Sequence, residues 1–200
     1  MPQNEMKTDS LRAQFSLEIY EGDGNVQKLS AVLFSVPKKR YRLELSTTMG
    51  IGVASLLWTD SLWKIVFPTE KTYLQGNGYM VGVLGNADIP LVNIHEIAGF
   101  FNDSFLPENY ETLSVRDSSG LKITTGNDKL GNSFSFAKQG GKILWLIKKT
   151  EQVFFNLPEI SVKKQDKDFL KIKIKKVKKD ISWGQGIWKL PTPYGYQKLQ

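Results

Sequence analysis

Cysteine is absent from this chain of 200 residues, and histidine occurs once, at His95. Without cysteine the chain can form no disulfide, no thiolate metal site and no cysteine nucleophile. A lone histidine excludes a metal site built from several histidines, and it gives a serine nucleophile only one possible histidine base. Most hydrolytic and redox machinery is therefore excluded, and we expect no enzyme, no metal and no other cofactor.

Long hydrophobic runs are also missing. The longest strongly apolar stretch, residues 143–147, has the length of a strand, whereas a membrane-spanning helix needs about 20 apolar residues. No basic segment followed by an apolar segment comes after Met1, so no export signal is visible. Two expectations stay open: a cytoplasmic protein, or the mature part of an exported one in which residues 1–10 form a polar tether.

Alternating apolar and polar residues dominate what is present. Leu11, Phe15 and Ile19 share one face of a predicted strand, with polar residues between them. The same pattern predicts strands at residues 11–19, 27–36, 41–45, 53–59, 62–67, 71–74, 120–125, 133–138, 142–149 and 169–176. We predict a mainly β (α+β) protein, an open antiparallel half-barrel sheet in a single domain of residues 11–200. The aromatic tail at 182–200 is expected to pack back on it.

One helix is predicted beside these strands. Ile94, Ile97, Ala98 and Phe101 have the spacing of a helical stripe, and Asn93 with Glu96 has the spacing of a capping box. His95 lies off the stripe, where a solvated histidine is expected. Because a lone apolar stripe needs a sheet to cover, we predict that Ile94, Ile97 and Phe101 form a lid. The glycine-rich residues 76–91 before it are predicted to form a flap.

A curved sheet under a lid can enclose a cavity lined by the inward side chains of its strands. The residues predicted to line it are Phe15, Leu17, Phe34, Leu43, Leu45, Leu57, Trp63, Ile65 and Phe67. The alternative is that the same side chains form a filled core.

The turn at residues 47–53 is apolar, although turns usually carry polar residues that meet water. Gly50 and Gly52 permit the chain reversal, and their neighbours are Met49 and Ile51. This turn joins two strands, so it is not the phosphate-binding loop that precedes a helix. A lid, a partner protein or lipid could cover these two side chains, and the sequence leaves the choice open.

The net charge of +7 comes from the C-terminal third. Residues 138–180 hold 13 lysines against 5 acidic residues, a local net charge of +8. This could indicate a polyanion or a membrane surface as partner. The more ordinary interpretation is a solvated sheet face whose lysines discourage edge pairing. Lysines without neighbouring surface aromatics do not indicate nucleic acid, which we do not expect as a partner.

Residues 40–107 resemble a known family in the order of their segments. The segments that carry the resemblance are residues 41–45, the turn 49–52, and residues 54–58, 89–91, 94–101 and 106–107. This order resembles the LolA/LolB superfamily, which comprises the bacterial periplasmic lipoprotein carrier and the outer-membrane lipoprotein receptor, and is closest to the receptor.

The resemblance implies a half-barrel whose apolar cavity takes lipoprotein acyl chains or phospholipid. It also implies that the loop carrying Met49 and Ile51 protrudes and helps to deliver cargo to the outer membrane. Expected partners are lipid, a periplasmic carrier protein and the membrane surface, for a monomer in the periplasm that is anchored as a lipoprotein. The anchor cysteine is not in this chain. A structural envelope protein, or a polyanion-binding module that uses the lysine-rich third, is the alternative.

Overall fold

The computed structural model describes residues 10–21, 23–37, 39–60, 62–77, 94–102, 106, 109–148 and 151–199. The strands are β1 (Leu11–Tyr20), β2 (Val26–Val36), β3 (Arg40–Thr47), β4 (Gly52–Thr59), β5 (Leu62–Phe67), β6 (Thr72–Asn77), β7 (Tyr110–Ser118), β8 (Leu121–Asp128), β9 (Ser133–Gln139), β10 (Lys142–Lys148), β11 (Glu151–Asn156), β12 (Glu159–Lys164), β13 (Lys167–Lys179) and β14 (Gln197–Lys198). One α-helix, α1 (Ile94–Asn102), and one 3₁₀ helix (Gln185–Trp188) complete the described elements. Neither of these helices is long and apolar enough to cross a membrane.

Hydrogen bonds join the strands into one open sheet whose edge strands are β14 and β7. The strand order is β14-β6-β5-β4-β3-β2-β1-β13-β12-β11-β10-β9-β8-β7. Neighbours from β2 to β6 and from β7 to β13 are antiparallel, whereas the two-residue β14 runs parallel to β6. The prediction of a mainly β protein with an open, antiparallel sheet is confirmed. The half-barrel, the cavity and the lid remain predictions.

The strands missed by the sequence pattern are β7, β11, β12 and the two-residue β14. All nine residues of β7 are exposed, so no buried face imposes an alternation of apolar and polar residues. In β11 the adjacent Phe154 and Phe155 interrupt the alternation. The predicted flap lies mostly outside the described residues, and so do the capping residue Asn93 and the tether at 1–9.

Two compact units divide the chain, and the second comprises residues 17–27 and 106–174. In this unit the strands from β7 to β12 follow one another as a meander. Its core lies on one face, where Phe136, Leu146, Val153, Val162 and Leu170 succeed one another across paired strands.

The first unit comprises residues 1–16, 28–105 and 175–200. It contains most of β1 and β2, the strands from β3 to β6, helix α1 and the C-terminal tail (residues 182–199). These elements place the predicted site, because eight of the nine predicted cavity residues and all five loop and helix residues belong to this unit. Leu17, the exception, is buried in β1 but belongs to the second unit.

Candidate functional site

One face of the sheet in the first unit, here called the inner face, is almost wholly apolar. The strand register aligns Leu33 with Leu43, Leu43 with Leu56, and Leu56 with Ile65. Residues directly opposite each other in paired strands project to the same face. All four of these leucine and isoleucine side chains are buried. Leu33 and Leu56 were not among the predicted cavity residues, because each is followed by another buried apolar residue and alternation could not assign it to this face.

Helix α1 packs over this inner face. The apolar stripe predicted from the sequence is its buried side: Ile94, Ile97, Ala98 and Phe101 are all buried. The ring of Phe101 meets the ring of Phe15 on β1, with 4.9 Å between their centroids and an angle of 39° between their planes. Phe15 is itself 1% exposed, so α1 fills the space above it. The side chains of His95 and Glu96 lie outside the described part of the chain.

The predicted cavity residues do not all reach this face. The strand register places Leu43, Leu45, Trp63, Ile65 and Phe67 on the inner face, and of these Trp63 and Phe67 are only half-buried. Phe15 lies on the same face by its contact with Phe101, since Arg12, which projects from the other side of β1, lies over Phe34. Phe34 and Leu57 lie on the opposite face, because the register pairs each of them with Arg42. They cannot line one space together with Phe15. That the six inner-face residues line a ligand-binding cavity remains a prediction.

The opposite face is covered by the C-terminal tail. Phe34 meets Trp183 edge to face at 5.2 Å between ring centroids. Arg42 Nη1 donates to the backbone oxygen of Ile187 at 2.7 Å, and Arg40 lies 4.5 Å from the ring centroid of Trp188. Phe34 is therefore packed against a segment of this same chain, which explains its burial without a ligand. Leu57 is also buried on this face, opposite Arg42, which the tail contacts.

The apolar turn between β3 and β4, here called the first tip, is ordered by its own hydrogen bonds. Gly50 N donates to Thr47 O at 2.9 Å, and Thr47 N donates to Ile51 O at 2.8 Å. Gly50 has a φ of +86°, a conformation that a side chain would strain. Met49 is 83% exposed and Ile51 57%, so nothing in the described part of the chain covers them.

Ionisable groups contribute little to the inner face. Its described residues include no Asp, Glu, Lys, Arg or His, and the described chain holds no group of acidic or histidine residues that could bind a metal. Burial lowers the pKa of Lys64, which lies on the opposite face and donates to Thr192 Oγ1. In the second unit, a hydrogen bond with Tyr20 raises the pKa of Lys171. The described part of the inner face is therefore apolar.

Several lysines of the basic stretch are already engaged within the second unit. Lys164 pairs with Glu151 at 2.9 Å, and its Nζ lies 4.0 Å from the ring centroid of Phe169. Lys163 lies above Phe154 in the same way, at 5.9 Å. The pair with Glu151 balances one positive charge locally, whereas Phe154 is 37% exposed beside Lys163, so this stretch does have a neighbouring surface aromatic, contrary to the expectation from the sequence.

Comparisons with known proteins give similarity at the level of structure only. No family model and no curated protein sequence matches the chain. A crystal structure of an uncharacterized conserved protein from Thermus thermophilus is similar at a TM-score of 0.44 and 9% identity, covering 96% of this chain and 90% of that one. A crystal structure of the LolA superfamily protein NE2245 from Nitrosomonas europaea is similar at a TM-score of 0.49 and 10% identity, covering 92% of this chain and 91% of that one.

Both TM-scores are below 0.5 and both identities are 10% or less, so neither structure indicates a function for this chain. The resemblance to a known family is carried by the segment order of residues 40–107. The chain resembles the LolA/LolB superfamily.

Proposed function

We propose that the chain binds the acyl chains of lipoproteins or phospholipid between the inner face and α1, and delivers them to the bacterial outer membrane. The observation that carries the proposal is the packing of a nine-residue helix, through one apolar stripe, over an apolar sheet face whose described residues include no charged side chain. In this proposal α1 is displaced when an acyl chain enters.

The displacement of α1 by an acyl chain explains how the protein can release its cargo. Burying an acyl chain is worth about 0.8 kcal/mol per methylene, so a long chain contributes on the order of 10 kcal/mol before any cost. In the observed form, Ile94, Ile97 and Phe101 already occupy the apolar surface. When an acyl chain enters, the contacts between α1 and the sheet are lost. The free energy of these contacts is subtracted from that gained by burying the acyl chain, so the net binding free energy is much smaller than the gross burial term. A carrier needs this, because a cargo held at full strength would never leave.

The first tip supplies the proposed route to the membrane. Met49 and Ile51 are held in solvent by an ordered turn, at one end of β3 and β4. Exposed apolar side chains on a tight turn can enter the boundary between headgroups and acyl chains at little conformational cost. We place the protein in the periplasm, at the outer membrane, with a periplasmic carrier protein as the donor of its cargo. It works as a monomer and without catalysis.

Lipid extraction followed by mass spectrometry tests the binding step. Protein purified from bacterial cells is expected to carry fatty acid or phospholipid, and delipidated protein is expected to take up a fluorescent fatty acid in a saturable manner. Phe15→Ala, on the inner face, should change this uptake. Phe34→Ala removes a ring that is also buried, but on the opposite face, and should leave the uptake unchanged. Absence of lipid together with absence of saturable uptake would refute the proposal.

A further inference from the structure

A second exposed turn lies at the same end of the first unit as the first tip. The chain reverses at residues 193–196, where Tyr196 N donates to Pro193 O at 3.3 Å and Gly195 has a φ of +82°. The Tyr194 side chain between them is fully exposed, at 105% of its reference area. We call this turn the second tip.

The strand pairing fixes where the second tip lies. Gln197 and Lys198 run parallel to Thr72 and Tyr73, so the residues before Gln197 lie at the end where β6 begins. β6 begins directly after the turn that follows β5, and antiparallel pairing of β4 with β5 puts that turn beside the start of β4. The first tip immediately precedes β4. Both tips therefore lie at one end of the sheet in this unit.

Contacts through the turn between β5 and β6 link the two tips. Tyr196 Oη donates to Pro68 O at 3.3 Å, and Gln197 N donates to Lys71 O at 2.9 Å. On the other side of the same turn, Thr69 Oγ1 donates to Gly52 O at 3.2 Å. The turn between β5 and β6 therefore forms hydrogen bonds with both tips or with the residues that adjoin them.

We propose that Tyr194 is a second membrane contact, so that both tips dock on an anionic phospholipid surface together. Tyrosine prefers the membrane interface, since its ring is apolar and its hydroxyl remains hydrated. The exposed residues Lys71 and Lys198 flank the second tip with Glu70 as the acidic neighbour, a net positive charge that complements anionic headgroups. This inference rests on the proposed function only for the role of the first tip.

The choice of a membrane over a protein partner follows from the shape of the exposed surface. The apolar side chains here are Met49, Ile51 and Tyr194, carried singly on two tight turns rather than joined in one flat patch. A protein interface requires a continuous complementary surface with a buried centre, whereas separate side chains on turns can each enter a fluid interface.

The absence of cysteine makes a direct test possible. An environment-sensitive fluorophore is attached to single cysteines in Met49→Cys, Tyr194→Cys and Leu62→Cys, and vesicles of phosphatidylethanolamine and phosphatidylglycerol are added. Leu62 is a matched control, because it is an exposed leucine at the other end of β5. We expect a blue shift at positions 49 and 194 and none at 62. Unlabelled Tyr194→Ser should lower binding to the same vesicles roughly fivefold, with less binding to pure phosphatidylcholine throughout.

The other outcomes separate this inference from the proposed function. A response at 49 without one at 194 would overturn the second tip and leave the first. No response at either position, with fatty-acid uptake intact, would overturn membrane docking and leave acyl binding. Equal responses at all three positions would indicate unspecific adsorption and also overturn it. A response at 49 and 194 without any fatty-acid uptake would refute the proposed cargo while supporting this docking surface.

Discussion

Phe101→Ala tests whether α1 is a cover that opens. Phe101 is the largest side chain of the buried stripe, and its ring contacts Phe15 at 4.9 Å between centroids. Full burial of a phenylalanine is worth about 1.5–3 kcal/mol, and an aromatic pair adds roughly 0.5–1.5 kcal/mol. The substitution should therefore destabilise the docked helix by about 3 kcal/mol relative to any state in which α1 has left the sheet.

That loss corresponds to about a hundredfold increase in the population with α1 undocked, since 1.4 kcal/mol is a factor of ten. Hydrogen exchange measures it directly. In the variant, the α1 amides should exchange about a hundredfold faster, while the amides of β3 and β4 keep their protection. Uptake of the fluorescent fatty acid should become faster as well, because the inner face is open more often.

A matched control comes from the second unit. Phe134 is also buried, and it meets Tyr110 edge to face at 5.1 Å between ring centroids. Phe134→Ala should lower the melting temperature without changing exchange in α1 or the rate of uptake. Equal acceleration of exchange in α1 and β3 by Phe101→Ala would refute a separately opening helix, since α1 would then leave the sheet only when the whole unit unfolds.

Three further predictions concern other parts of the chain. Met49→Glu combined with Ile51→Glu should leave the circular dichroism spectrum and melting temperature unchanged but impair cargo transfer to vesicles, and a loss of folding would show that the turn is buried. Gly126→Ala should lower the free energy of unfolding by about 1–3 kcal/mol in a denaturant titration, because the new Cβ would lie 2.5 Å from a backbone oxygen of β7; unchanged stability would contradict this. Hydrogen bonds from Asn132 hold the pKa of Asp128 below its ordinary value of 3.8, so their contribution to stability is complete above pH 3.8 and disappears as the pH falls through the lowered pKa. Asn132→Ala should bring the pKa of Asp128 back toward 3.8 in an NMR titration, and an unchanged pKa would show that the attribution is wrong.

Strands with one buried and one solvated face were predictable from the sequence. β1 buries every second residue from Leu11 to Ile19, and its predicted bounds differ from the observed ones by one residue. The stripe of α1 was predictable for the same reason, because a single buried side imposes the helical period. The apolar first tip was also evident, since glycines with apolar neighbours contradict ordinary turn chemistry.

The face of the sheet from which each side chain projects was harder to predict where both faces are covered. Leu33 and Phe34 are adjacent and both buried, as are Leu56 and Leu57, because α1 covers one face and the C-terminal tail the other. A strand buried on both faces loses the alternation that assigns its side chains. The sequence therefore could not show that Phe34 belongs to a different surface from Phe15.

The most direct test of the central claim uses a fatty acid that carries a nitroxide spin label on its acyl chain. NMR spectra of methyl-labelled protein would show which side chains the acyl chain approaches. We predict that the methyl signals of Leu43, Leu45, Ile94 and Ile97 broaden, while that of the exposed Leu130 in the second unit does not. Unbroadened inner-face methyls in the presence of bound fatty acid would contradict the account.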